Sequence, residues 1–87
     1  MKLKKNDKKH MEKIYNQIVQ SLWYIQDLVT EKNEYYADRS ERWRESDKGC
    51  DFEIALDTLE GIQSNIESVQ EQLEDFIQNH MQGEEAK

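Results

Sequence analysis

Apolar side chains recur at helical spacing along two long stretches of this chain. In the first stretch, the members of one continuous series lie alternately four and three residues apart. That repeat of 3.5 residues is typical of a helix packed along another helix. The series is apolar as far as Val29 and then includes Lys32 and Arg39, so it weakens towards its end. Its members are Met11, Tyr15, Ile18, Leu22, Ile25, Val29, Lys32, Tyr36, Arg39 and Trp43.

The second stretch keeps the same repeat without a gap. Its members are Phe52, Ala55, Leu59, Ile62, Ile66, Val69, Leu73, Phe76 and His80. Gly61 lies inside this stretch, where glycine costs about 1 kcal/mol relative to alanine. It either lets another helix approach closely or is tolerated at an exposed position. No segment alternates polar and apolar residues as a strand does, and the chain contains no proline, so we expect an all-α protein.

Two long helices separated by a short segment predict an antiparallel two-helix hairpin with coiled-coil-like heptad seams. We expect residues 10–82 to form this hairpin as a single domain. The predicted parts in chain order are a flexible basic tail at 1–9, helix 1 at about 10–38, a bend with a short turn at about 39–46, helix 2 at about 47–81 and a frayed acidic tail at 83–87.

The bend lies within the segment DRSERWRESDKGCDF, and two interpretations of it are open. In the first, helix 1 continues through Trp43 to about Ser46. Gly49 then ends it in the left-handed conformation that commonly follows a helix, and Asp51 caps helix 2.

In the second interpretation, which we favour, helix 1 ends near Asp38 or Arg39. Ser40 then opens a single turn that contains Trp43, and Ser46 caps helix 2. Gly49 leaves room for Trp43, whose ring closes the end of the hairpin.

Helix 1 has more apolar surface than one partner helix can cover. Beside its seam lie Ile14, Val19, Trp23, Leu28 and Tyr35. So wide a stripe implies a second contact surface. We expect a homodimer in which two hairpins form a four-helix bundle with twofold symmetry. The alternative is that the same stripe binds a different protein.

Charge is distributed unevenly along the chain. Residues 1–18 carry a net charge of +4, residues 19–50 of −2 and residues 51–87 of −9, which together give the formal net charge of −7. The carboxylates of helix 2 mostly fall off its seam, so we expect an exposed acidic face that either solvates the protein or contacts a host protein with a basic surface. That face comprises Glu53, Asp57, Glu60, Glu67, Glu71 and Glu74.

The basic N-terminal segment suggests a different partner. Its lysines could contact nucleic acid, which makes a nucleic-acid-binding accessory protein the alternative function. No aromatic residues are interleaved with these lysines, and the acidic second half opposes such contact, so nucleic acid is not the expected partner. No stretch approaches the roughly 20 apolar residues of a membrane span. We therefore expect a cytoplasmic protein without membrane contact.

The sequence contains no recognisable catalytic motif. Neither a glycine-rich phosphate loop nor a Gly-x-Ser-x-Gly turn occurs. Cys50 lies near the predicted bend, whereas His10 and His80 lie at the opposite end of the hairpin, too far away to activate it. We therefore expect no enzymatic activity, no catalytic residues, no cofactor and no metal site.

The bend also carries residue types that are enriched at binding hot spots. Arg39, Arg42 and Arg44 surround Trp43. These side chains either contact a partner or form local pairs with neighbouring carboxylates.

The stretch YYADRSERWRESDKG, residues 35–49, resembles a segment of small uncharacterised helical-hairpin proteins of bacteria and phages. The resemblance rests on Arg39-Ser40, Trp43, Ser46 and Gly49. It implies a non-enzymatic protein-binding module of phage or mobile-element type. Such a module would inhibit or adapt host machinery through its acidic helical surface, for example by mimicking nucleic acid in a defence system.

Overall fold

The computed structural model describes residues 2–81, and all of the regular structure in that range is helical. Helix α1 spans Lys5–Asp38, α2 spans Glu41–Glu45 and α3 spans Asp47–Phe76. A π-helical turn, Ile77–Met81, continues α3. The predicted all-α class is confirmed. The described residues form a rod of 64 × 16 × 15 Å.

Helix α1 begins earlier than the apolar pattern indicated. Residues 5–9, predicted as part of a flexible tail, are its first turns. The Lys4 backbone N–H donates a hydrogen bond to the Asp7 carboxylate at 3.0 Å, and this carboxylate also suits the positive end of the helix dipole. This carboxylate therefore stabilises a helix start that the apolar repeat does not mark. The predicted acidic tail at 83–87 lies outside the described residues.

The chain turns at two serines. Ser40 follows α1, and its hydroxyl oxygen accepts a hydrogen bond from the Trp43 backbone N–H at 3.2 Å. Ser46 follows α2 and accepts from the Gly49 backbone N–H at the same distance. Both serines have extended backbones, which redirect the chain before each helix starts. This arrangement is that of the second interpretation of the bend.

Gly49 is helical and buried, and no described residue has a positive φ. A Cβ atom at Gly49 would lie 2.6 Å from the Arg44 carbonyl oxygen and closer still to that of Trp43. The missing side chain therefore makes room for the backbone of α2, rather than for the Trp43 ring as predicted. This close approach lets the first turn of α3 pack directly on the last turn of α2.

Helices α1 and α3 lie side by side with their sequences reversed. Near the bend, the Tyr36 hydroxyl reaches the Glu53 carboxylate. At the other end of the rod, Tyr15 and Ile77 line the same surface depression. In the seam between the helices, Leu22 and Val29 of α1 are buried, as is Leu56 of α3.

Helix α3 is rotated relative to the predicted seam. Its observed seam also repeats at four and three residues, but it leaves Ala55, Ile62 and Val69 on an exposed flank. The apolar stripe of α3 is wider than one seam, so heptad spacing alone does not decide which edge faces α1. In the observed rotation Leu56 is buried near one end and Ile77 is half-buried near the other. The seam residues are Phe52, Leu56, Leu59, Gln63, Ile66, Gln70, Leu73 and Ile77.

Candidate functional site

Four aromatic rings meet at the bend, and we call them the bend cluster: Tyr35, Tyr36, Trp43 and Phe52. The Tyr36 and Phe52 rings stack at 6.0 Å between centroids with an interplanar angle of 11°. The Trp43 ring packs edge-on against Phe52 at 5.7 Å and against Tyr35 at 6.0 Å. Because these residues come from α1, α2 and α3, the cluster joins all three helices.

Two arginines cover the bend cluster. The Arg39 guanidinium lies over both the Trp43 ring, at 4.9 Å from its centroid, and the Tyr35 ring, at 5.3 Å. The Arg44 guanidinium lies 6.0 Å from the Tyr36 centroid. Each geometry is within the range of a cation–π interaction. Of the four residues predicted as bend contacts, Arg39, Trp43 and Arg44 therefore interact within the chain, while Arg42 is exposed on α2.

A polar contact fixes the same region. The Tyr36 hydroxyl donates a hydrogen bond to Glu53 Oε2 at 3.0 Å, which links α1 to α3. This hydrogen bond raises the pKa of Tyr36, and partial desolvation and the negative charge of Glu53 act in the same direction. The neutral, proton-donating tyrosine is therefore the form that the fold favours.

One long side of the rod carries a series of partly exposed apolar side chains from both helices. In α1 and α3, the residues concerned come immediately before a seam residue, as Ile14 precedes Tyr15 and Ile62 precedes Gln63. The two helices run in opposite directions, so these two flanks fall on the same side of the pair. Four of the side chains have similar exposed fractions, between 43% and 46%. We call this surface the apolar strip: Ile14, Leu28, Tyr35, Ala55, Ile62 and Val69.

The opposite flank of α3 is acidic. All six residues of the predicted acidic face come immediately after a seam residue, as Glu53 follows Phe52 and Glu60 follows Leu59. Helical geometry therefore places the whole acidic face on the side of α3 that points away from the apolar strip. Glu67 is half-buried there, and its carboxylate accepts a hydrogen bond from the Gln63 amide at 3.1 Å.

The wide stripe predicted on α1 is divided between these two sides. Ile14, Leu28 and Tyr35 belong to the apolar strip. Val19 and Trp23 come immediately after seam residues and therefore lie on the same side as the acidic face, where Trp23 is 62% exposed. Sequence reasoning missed this division because it considered only the distance from the seam. Whether a residue comes immediately before or immediately after a seam residue decides which side of the rod it lies on, and this can be read from the sequence.

Comparison with protein-family models, curated proteins and solved structures finds no match for this chain. Within residues 2–81, no helix combines the length and apolar character needed to cross a bilayer. In the same range, His, Cys, Asp and Glu side chains do not gather in a group of three or more that could hold a metal ion.

Proposed function

We propose that this chain is a non-enzymatic protein-binding module. It works as an antiparallel helical hairpin that pairs with a second copy to form a four-helix bundle. The observation that carries the proposal is the difference between the two sides of the rod. One side offers the uncharged apolar strip, and the other offers the acidic face with Val19 and Trp23 beside it.

Pairing of two hairpins is supported by the surface that one hairpin leaves exposed. A two-helix hairpin covers one stripe on each helix, whereas α1 and α3 each carry a second, half-exposed apolar flank. Removing apolar surface from water contributes about 25 cal/mol per Å². Covering such a surface therefore contributes favourably to association, and four-helix bundles are the usual result of packing amphipathic helices in this way.

The acidic side supports binding of a basic protein. Carboxylates spaced along a helix attract a basic surface at long range and favour its orientation. Trp23 adds a large exposed aromatic side chain of the type that anchors interfaces. The sharpest form of the proposal is an inhibitor or adaptor of host machinery, whose carboxylates replace nucleic-acid phosphates in a basic groove. That form rests on the charge distribution and on the resemblance of residues 35–49.

Affinity capture from host extract with the intact chain tests the proposal. We expect a basic protein to be retained at low salt and released as salt is raised. Neutralising Glu60, Glu67 and Glu74 together to glutamine should abolish its retention. The matched control neutralises Asp27, Glu31 and Glu34 of α1, which removes the same number of charges outside the acidic face. Retention that survives the triple substitution, or is equally lost in the control, would contradict binding through the acidic face.

One observation favours the alternative of nucleic-acid binding. Lys5, Lys9 and Lys13 lie at intervals of four residues within α1, so helical spacing holds them in a row instead of a mobile tail. A row of this kind suits contact with phosphates. If the chain shifts DNA at moderate salt and substitution of these three lysines by alanine abolishes the shift, the alternative replaces the acidic-face proposal.

A further inference from the structure

The apolar strip runs along the length of the rod. Tyr35 and Ala55 lie at the bend, Ile62 lies near the middle of α3, and Ile14 lies towards the opposite end. The rod is 64 Å long and 16 Å wide, so the whole side that carries the strip measures about 1,000 Å² in projection, compared with about 800 Å² per partner in a typical stable interface. This side of the rod is therefore large enough for a stable dimer.

We infer that the apolar strip is covered by the same strip of a second copy, with the two bends at opposite ends of the dimer. This inference rests on the proposed dimerisation and specifies its surface and orientation. A twofold dimer places each patch against its own equivalent. The uncharged strip suits that arrangement, whereas the acidic side would set rows of glutamates against each other.

The orientation follows from the distribution of charge. Residues 25–65, the half of the rod nearest the bend, carry eleven acidic and five basic side chains, a net charge of −6. The other half, residues 2–24 and 66–81, carries six of each and is neutral. With the bends together, two halves of −6 would lie side by side. With the bends opposite, each −6 half lies beside a neutral half that contains six lysines.

The edge of the strip shows the same asymmetry. Near the bend, three carboxylates lie on the strip side of their helices, because each immediately precedes a seam residue or, at the end of α1, the capping residue. They are Glu31, Asp38 and Asp51. At the far end, the corresponding positions are His10 and Asn79. Opposed bends therefore keep the three carboxylates of one copy away from those of the other, which avoids direct like-charge contacts.

Cys50 provides a natural probe of this orientation, because it is the only cysteine and is exposed. It lies about 15 residues from the middle of the strip, which falls between Ile62 and Val69. At 1.5 Å per residue, opposed bends separate the two Cys50 residues by about 45 Å along the rod. Bends at the same end would leave them no further apart than two rod widths of 16 Å each.

The experiment measures the mass of the full-length chain by sedimentation and the distance between spin labels on Cys50 by pulsed EPR. We expect a dimer with labels about 45 Å apart or more. A dimer with labels separated by about two rod widths or less would overturn the orientation but leave dimerisation intact. A monomer at micromolar concentration would overturn dimerisation itself, while binding through the acidic face would remain a separate question.

A matched pair of substitutions tests the surface. Ile62→Glu places a charge in the strip, and because it occurs twice in a twofold dimer it should raise the dissociation constant at least about tenfold. The control is Ile54→Glu, on the same helix at a position 65% exposed and outside the strip, which should dimerise like the wild type. Ser21→Glu adds a negative charge at an exposed position between Ile14 and Leu28 without removing apolar contacts. The strip assignment fails if Ile62→Glu and Ser21→Glu both dimerise normally, or if Ile54→Glu is equally disruptive.

Discussion

At the residue scale, two glycines of α3 have different roles that their sequence context does not reveal. A Cβ atom at Gly49 would overlap backbone carbonyl groups of α2, whereas a Cβ atom at Gly61 would meet nothing within 4 Å. Both glycines weaken the helix to a similar extent through backbone entropy. The neighbouring backbone, which is a tertiary feature, decides that only Gly49 is required.

Substitution of each glycine by alanine should therefore change stability in opposite directions. Gly49→Ala forces α2 away from α3 and should destabilise the protein by about 1–3 kcal/mol. Gly61→Ala removes only unfolded-state entropy and should stabilise it by about 0.5–1 kcal/mol. Urea unfolding followed by far-UV circular dichroism, at one protein concentration, measures both. A Gly49→Ala protein as stable as the wild type would mean that α2 and α3 do not approach this closely.

At the element scale, α2 depends on its surroundings. A helix of five residues is far below the roughly 12–15 residues that a marginally stable isolated helix needs. The capping hydrogen bond of Ser40 starts it, and Trp43 attaches it to Phe52 and Tyr35. The function of α2 in the fold is thus to hold one aromatic ring over the junction of the two long helices.

Replacing each tryptophan by alanine separates support of the fold from partner contact. Trp43→Ala loses its ring contacts and the cation–π interaction with Arg39, and should destabilise the protein by about 2–4 kcal/mol. Trp23→Ala removes a side chain that is 62% exposed and should change stability by no more than about 0.5 kcal/mol, while weakening retention of a basic partner. Thermal unfolding and affinity capture of both variants give the comparison. Unchanged stability with lost binding in Trp43→Ala would instead make Trp43 a contact residue.

The elements also show what this sequence can predict. Ser40 and Ser46 were assigned as caps because capping depends on residues only three positions away. The seam of α1 was predicted because its 3.5-residue repeat is continuous and apolar from Met11 to Val29. The rotation of α3 was not, since the choice between Leu56 and Ala55 depends on contacts with α1. Ile14 and Trp23 lie on opposite sides of the rod. To predict which flank of α3 lies beside each of them, one must also know the direction in which α3 runs.

At the scale of the whole molecule, the rod has little interior. Among the described residues, only Leu22, Val29 and Leu56 are buried hydrophobic side chains. Small domains bury a modest fraction of their surface and are correspondingly marginal in stability. Covering Ile62 and Val69 with a second copy would bury part of the apolar surface that one chain leaves exposed. If the proposed dimer forms, its association and the stability of the fold are linked.

This linkage predicts a melting temperature that depends on concentration. For a dimer that unfolds to separate chains, each tenfold dilution lowers the free energy of unfolding by about 1.4 kcal/mol, which corresponds to a decrease of roughly 3–5 °C in Tm. Thermal unfolding over a hundredfold range of concentration measures the slope. Ile54→Glu should reproduce the slope of the wild type, because that side chain lies outside the apolar strip. Ile62→Glu should melt at a lower Tm than the wild type at every concentration, because its dimer is weaker. A wild-type Tm that is independent of dilution would mean that one chain folds alone.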